Sequence, residues 1–579
     1  MTKRLILALL LSCSPLWAAT YYVDNCVSVG NDRNNGTSTS TPWLTINKVN
    51  TSTFNPGDSI LFESTCTWRE QLTVPSSGSV GSPITFGAYG TGANPTIDGS
   101  TVFSSWSPYT ISGVYTATSA SDVFQLFKNG VRLTQGSSPT TLNNQQWYWT
   151  GSVLYFCEDA GNPGSLGYTL NGSIRNFNVL LGQNYVTFQN LTMIYAAQQG
   201  LGLSAASDHL TISSCTVTQA LKDGLAFSAY ALTNSLIQNS DISWNGSAGI
   251  AISTGSVNNT IQYNNVHNNS QIATSAAGFQ YSGGIYFWCP DGSIVGNIVQ
   301  GNNIYSNGVL PGGSWVVPSG TGAWGMGLWW DTITTSSYIS SNSSRFNNIY
   351  NNFDTGLNLE HTTYQQAYYN VVHDSAVAEG IRVGDMTHIS QASYNLIYNN
   401  TVYNTTIGLH ITGSSENNAN DCMGNVIENN ISVGSSLHNF VAEHGCENDG
   451  TMGSGNVYLY NGFGAAAANF IGWGTGIFYA TYAAWETAMG NCGLAGCSHS
   501  VQAAPQFVNA SAGQFGLTSG SPGIGAGVNL GSPYNIGLLP GSTWPTGVTT
   551  GPTNTPPDIG AFIYVPAVAP PSSLVLSVH

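Results

Sequence analysis

The chain has 579 residues, of which 7% are charged, with 68 glycines and a formal net charge of −16. So little charge excludes a solvated, salt-bridged helical protein. Eleven Lys and Arg against 27 Asp and Glu speak against nucleic acid as a partner, and more mildly against a strongly polyanionic one.

Residues 1–19 read as a secretory signal: Lys3-Arg4, the apolar run Leu5 to Leu11, a break at Pro15, then Leu16-Trp17-Ala18-Ala19 before the cut. A secreted or periplasmic protein is therefore expected. Leu10-Leu11-Ser12-Cys13 loosely matches a lipoprotein site, and anchoring at Cys13 is the less favoured alternative. No later run is long enough to cross a bilayer. The mature chain would keep nine cysteines, with Cys26–Cys66, Cys422–Cys446 and Cys492–Cys497 as the expected pairs. Cys215 stands where a corner Asn is expected and reads as buried, and no cysteine spacing resembles a zinc site.

Residues 20–100 contain Tyr21-Tyr22-Val23-Asp24, Gly30-Asn31-Asp32, Pro42-Trp43 and a short helix through Val49, then Pro56-Gly57-Asp58-Ser59-Ile60-Leu61-Phe62. A helix there suits the plug of an open strand stack, whose end strand would otherwise expose its edge. Residues 101–180 lose the later rhythm and read as an inserted antiparallel subdomain, with strands near Val123 to Phe127, Trp147 to Trp149 and Val153 to Phe156. Residues 181–460 are repetitive, with rungs expected from Tyr185 onward. Residues 461–579 read as a C-terminal cap and tail, with a helix over Tyr482 to Met489 and Pro- and Gly-rich text after it.

The repeat is a phrase of Gly, an aliphatic residue, any residue and a large apolar one. It starts at Gly200, Gly224, Gly249, Gly284, Gly327, Gly356, Gly380 and Gly408, with a degenerate copy at Asn439. The glycines lie 24, 25, 35, 43, 29, 24 and 28 residues apart, a period that indicates a solenoid. A second phrase, as in Asn399-Asn400-Thr401-Val402, precedes the Gly phrase by 8 to 10 residues in four rungs, with relatives at Asn264, Asn302, Asn347 and Asn370. Each rung therefore holds short strands joined by tight corners, where Asn tolerates left-handed backbone and can bond to stacked backbone. The fold expected is all-β, a right-handed parallel β-helix with coils ~4.8 Å apart. Leucine-rich and propeller repeats fit the period less well.

Alternation along a strand sends the second and fourth residues of each phrase inward and the third and fifth outward. The outward pairs are Ala226/Ser228 and Ala251/Ser253 early on. They become Tyr286/Trp288, Trp329/Asp331, Asn358/Glu360, Arg382/Gly384, His410/Thr412 and Val441/Glu443. This strip is the candidate site. Two oversized rungs bring aromatics to it, Phe279 and Tyr281 in one, Trp315 and Trp324 in the other.

The opening Tyr-Val-Asp, Gly-Asn-Asp, Pro-Trp and Pro-Gly-Asp-x-Ile-Leu-Phe resembles the large superfamily of secreted right-handed parallel β-helix proteins. So does the closing Pro-x-Phe-Val-Asn, Gly-Ser-Pro and Asp-Ile-Gly-Ala. That superfamily includes pectate lyases, polygalacturonases, C5-epimerases and glycosidases. The insertion after the cap is similar to that of a glycosidase subset containing β-xylosidases and fucosidases. The resemblance implies a carbohydrate substrate; the reaction is left to the residues.

Three readings follow. As a glycoside hydrolase, Asp331 and Glu360 share one outward slot on consecutive rungs, ~4.8 Å apart, close to the ~5–5.5 Å of a retaining pair. The resemblance to β-xylosidase-like members makes Asp331 the nucleophile and Glu360 the acid/base, roles that could be exchanged. Tyr286, Trp288 and Trp329 would then face sugar rings, Asn358, Arg382 and His410 would hold hydroxyls or tune the acid, and Glu443 would serve an outlying subsite ~14 Å away. As a polysaccharide lyase or epimerase, Arg382 and His410 would act on a uronate, with Asp385 or Glu379 helping to hold Ca²⁺. As a non-catalytic glycan-binding or surface protein, the aromatics and the amide ladder would act. The first reading requires no cofactor or metal, and a monomer is expected. Glu360 and Glu443 are each followed by His, a coincidence on sequence grounds.

Overall fold

The computed structural model describes residues 18–566, apart from 27–28, 273–281, 290–292, 315–323, 334–340, 376, 385–391, 414–421, 448–454 and 489–499. The anticipated signal sequence, Phe279, Tyr281, Trp315, Asp385, Cys492 and Cys497 thus fall wholly or almost wholly outside the described residues.

Three long sheets run the length of the molecule, two of thirteen described strands and one of eleven. Apart from the antiparallel end strand Phe478–Tyr479, each strand pairs in parallel with its counterpart one coil later. In the sheet that carries the Gly phrases the register is Ile250↔Ile285↔Leu328↔Leu357↔Ile381↔Leu409↔Phe440. All seven side chains are fully buried in one continuous apolar column. The molecule is the right-handed parallel β-helix expected from the period. β-Branched and aliphatic residues at every second position suit a pleated surface buried on its inner face.

The phrase opens on glycine because successive coils touch there. A Cβ on Gly327 would lie 2.4 Å from the carbonyl oxygen of Gly356 and 2.6 Å from Ile349 Cγ2. The backbone at that glycine is not left-handed; the requirement is space.

Asparagines form a buried internal ladder. Asn302 Oδ1 accepts from the backbone N–H of Asn264 at 3.0 Å and from Asn264 Nδ2 at 3.0 Å, and Asn302 in turn donates to Asn347 Oδ1. The series continues through Asn370, Asn400, Asn430 and Asn461. Left-handed backbone falls one residue earlier, on Tyr263, Phe346, Tyr369, Asn399 and Asn429. The ladder asparagines therefore do not owe their place to tolerance of left-handed backbone. They satisfy buried donors and acceptors at corners where the β-ladder is interrupted.

Near the start, Thr45 caps the helix Ile46–Asn50 by accepting from the Lys48 N–H, and Ile46 and Val49 enter the long core. The coil is interrupted between the strands Thr96–Asp98 and Phe177–Leu181, where two four-stranded antiparallel sheets are inserted. They enclose a separate core around Leu126, Trp147, Leu154 and Phe156. Phe177–Leu181 already pairs in parallel with Leu72–Thr73 and Gln199–Leu203, so the coil resumes one strand ahead of Tyr185.

Beyond the last parallel strand of the Gly-phrase sheet, Ile471–Trp473, Tyr482 and Trp485 of the helix Tyr482–Ala488 close the core. The remaining chain folds back along the flank: Phe515, Leu538 and Phe562 cover Val371, and Tyr534 packs on Tyr368 and Tyr398. Cys26–Cys66 and Cys422–Cys446 are bonded, and Cys215 is a buried thiol. Among the described residues no helix is long and apolar enough to cross a membrane.

Candidate functional site

The strip is built by seven neighbouring strands of the Gly-phrase sheet, from Ile250–Ser253 to His438–Glu443. Asp331 ends the strand Trp324–Asp331 and Glu360 ends Leu357–Glu360. The two are register partners, and Trp288 is the partner of Asp331 on the other side. Each carboxylate is followed by a residue in left-handed backbone, Thr332 at φ 56° and His361 at φ 53°. The chain thus turns away from the sheet immediately after presenting the carboxylate.

Asp331 accepts hydrogen bonds from Tyr286 Oη at 3.1 Å and Thr332 Oγ1 at 2.7 Å, and His361 Nδ1 lies 3.3 Å from Oδ1. Glu360 accepts from Asn358 Nδ2 at 2.9 Å, and Arg382 Nε donates to Asn358 Oδ1 at 3.3 Å. The amide of Asn358 thereby links the guanidinium to the carboxylate and orients both. Arg382 Nη1 sits 3.3 Å from Glu379 Oε1, which also lies 3.1 Å from His410 Nδ1. His410 Nε2 reaches Glu443 Oε1 at 3.0 Å. One polar network therefore runs along the sheet from Glu360 to Glu443. This makes Glu443, expected as an outlying subsite residue, a direct partner of His410.

Burial opposes ionisation of both Glu379 and His410, and in each case the partners outweigh it. Arg382, His410 and the Thr355 hydroxyl hold Glu379 well below the usual carboxylate range, while Glu379 and Glu443 raise His410 above its ordinary value. His410 thus lies between two carboxylates, one at each ring nitrogen. Among the described residues Nη2 of Arg382 is buried without a hydrogen-bond partner.

Two expectations are corrected. Asp331 and Glu360 were expected to face solvent, yet they are 8% and 5% exposed. Their hydrogen-bonding neighbours, Tyr286 and Asn358 among them, crowd the outer face of the sheet. Trp329 was expected to offer its face to a sugar; it is 2% exposed and packs against Tyr286, ring centroids 4.5 Å apart, and Met326. Trp288 remains 45% exposed beside Asp331, the exposed ring of the strip among the described residues.

Sequence reasoning left Thr332 and His361 out of the site and named Glu379 only as a Ca²⁺ holder in the lyase reading. Thr332 and His361 lie just past strand ends, where two-residue alternation no longer applies, although the Glu360-His361 pair hinted at the second. Glu379 has the parity of the inward Ile381 and Val383, but it starts its strand at a corner and its carboxylate reaches Arg382 and His410.

Comparison with known proteins places the fold in a wider group. Residues 178–324 match the family described as right handed beta helix region. XylC, solved with xylose, aligns over 76% of this chain and 83% of its own at 16% identity, with a TM-score of 0.54. The pectate lyase Pel9A aligns over 94% and 96% at 14% identity, with a TM-score of 0.46. A lacto-N-biosidase of Bifidobacterium longum subsp. longum is 40% identical over 75 residues, which is 12% of this chain and 5% of that relative. The chain thus spans a small part of the curated relative it matches. From the family match and its own three parallel sheets, the chain is a right-handed parallel β-helix protein.

Proposed function

We propose that the protein is a carbohydrate-active enzyme, and specifically a glycoside hydrolase working through Asp331 and Glu360. The observation that carries the reading is the in-register pair of enclosed carboxylates at two consecutive strand ends. Neighbouring parallel strands hold their backbones ~4.8 Å apart, near the ~5–5.5 Å between the carboxyl groups of retaining glycosidases. Asp331, fixed by Tyr286 and Thr332, suits the nucleophile that attacks the anomeric carbon. Glu360, oriented by Asn358, suits the acid that protonates the departing oxygen and then the base that activates water. Trp288 offers a ring for stacking on a sugar. The likeness to XylC, solved with xylose, and the short match to a lacto-N-biosidase support a glycan as substrate.

The lyase or epimerase reading draws on Arg382 and its buried Nη2. Against it, both ring nitrogens of His410 are taken up by carboxylates, so neither is placed to abstract a proton from a substrate. The decisive experiment is a reducing-sugar screen on plant and microbial polysaccharides, followed by NMR of the first-formed anomer. Retention of configuration, with turnover lost in Glu360→Gln, is the expected result. Products absorbing as unsaturated uronates, or inversion at the anomeric centre, would overturn the assignment.

A further inference from the structure

The molecule has a second concave feature, away from the carboxylates. A cleft of about 1050 Å³ lies between the inserted subdomain and the flank of the β-helix. The insertion replaces one corner leading into the Gly-phrase sheet, and it leans along the same corner of the following coils. Arg132 Nη2 donates to the carbonyls of Ala220 and Trp244, both at 3.1 Å, and Gln219 Nε2 donates to Gly130 O at 2.6 Å. These bonds set the floor of the cleft. Its helix wall runs from Gln198 through Lys222, Trp244 and Ile272 to Leu310 and Pro311, corner residues of five successive coils, ~19 Å along the axis. The carboxylates of the strip stand where the strands leave that sheet; the cleft lies where they enter it. Among its described lining residues none belongs to the strip.

We infer that this cleft is a second, non-catalytic glycan-binding site that holds a stretch of oligosaccharide chain along the helix axis. Trp149 from the insertion and Trp244 from the helix give it half-buried indoles on opposite walls. Such rings match the apolar C–H face of a pyranose. Hydroxyl partners are also in place. Among the described residues the side chains of Gln135 and Gln198 make no hydrogen bond. Arg132 engages Gln125 and two carbonyls through Nε and Nη2, which leaves Nη1 uncommitted among the described residues. A volume at the upper end of the usual ~300–1,000 Å³, an elongated form, aromatic walls and a few unsatisfied polar groups fit several linked sugars better than one small apolar molecule.

The test uses the full chain carrying Glu360→Gln, so that turnover cannot consume the probe. It is run in native gels containing arabinoxylan, galactan, mixed-linkage glucan, pectin or alginate. Retardation by at least one polysaccharide is expected, and Trp149→Ala with Trp244→Ala should weaken it about tenfold, equivalent to ~1.4 kcal/mol. The milder Gln198→Ala should weaken it less without altering thermal unfolding, which guards against a folding defect. With Glu360 restored, the double Trp variant should keep wild-type turnover of small aryl glycosides. Absence of retardation throughout the panel, or retardation unchanged in the double variant, overturns the inference. Uptake of an apolar fluorescent probe without glycan retardation does so too. The retardation outcomes stand whatever the roles of Asp331 and Glu360; the aryl-glycoside control alone rests on the proposed hydrolase reading.

Discussion

Asp331 is a hydrogen-bonded, enclosed carboxylate, so how it is replaced matters as much as whether it is replaced. Asp331→Asn and Glu360→Gln keep shape and most bonds, and each should lower kcat by about 10³-fold or more with little change in thermal unfolding, read from steady-state kinetics and calorimetry. Asp331→Ala should additionally cost about 1–3 kcal/mol, because the hydroxyls of Tyr286 and Thr332 lose their acceptor. The two tryptophans should separate in the same assays. Trp288→Ala should raise KM more than it lowers kcat, as expected for an exposed stacking ring. Trp329→Ala should instead destabilise the fold by about 3–5 kcal/mol, as a core truncation does. A Trp329→Ala protein of unchanged stability and raised KM would return that ring to the substrate face. His410 gives a pH signature. Its folded pKa is raised, so its contribution to stability is complete below the ordinary histidine pKa of ~6.5 and is lost as pH rises through the folded value. Glu379 has the opposite sign: its contribution is present above the usual carboxylate pKa and is lost as pH falls through the depressed folded value. Unfolding curves of His410→Gln and wild type, compared across pH, should therefore converge on the alkaline side.

At the level of a single coil, the Asn ladder and the Gly phrase do different work. The ladder closes the corner between two sheets, where backbone groups lose their strand partners. Asn302 takes part in bonds to the coil before and the coil after, and also donates to Ile261 O. Asn302→Leu fills a similar volume but leaves those buried groups unsatisfied, and should destabilise by several times the ~1–3 kcal/mol typical of one such loss. Denaturant unfolding gives the number, and a cost below that of one hydrogen bond would mean that the ladder only fills space. Much of this element was legible in the sequence, because Gly and Asn recur at fixed offsets from the inward aliphatics. The left-handed corner residue was not. Tyr, Phe, Asn and Gly all occupy it, and only coordinates reveal which residue carries the positive φ.

For the molecule as a whole, the low cation content and the charge of −16 favour a neutral over a polyuronate substrate. Activity should therefore survive EDTA, and products should not absorb in the ultraviolet. Chelator-sensitive turnover with rising absorbance would move the chemistry to Arg382 and a bound cation. The return of the C-terminal segment along the flank also belongs to this scale. Outward Val371, Tyr398 and Val433 would expose apolar surface on a bare β-helix, and Phe515, Tyr534 and Ile559 cover them.

By itself the sequence determined the periodic part of this protein: the solenoid, the faces of its strands, and the register that pairs Asp331 with Glu360. Those properties follow from two-residue alternation and a recurrent Gly phrase, both local and additive along a chain. Tertiary structure alone decided the rest. It enclosed Asp331, Glu360 and Trp329, which alternation marked as outward, because outward from a sheet means solvent only if nothing packs there. It recruited Thr332, His361 and Glu379 from corners, where backbone direction changes and parity loses its meaning. It also set the insertion against the following coils, so that Trp149 and Trp244, 95 residues apart in the chain, line one cleft. No periodicity encodes that proximity, because it depends on how a separate core docks on the helix flank.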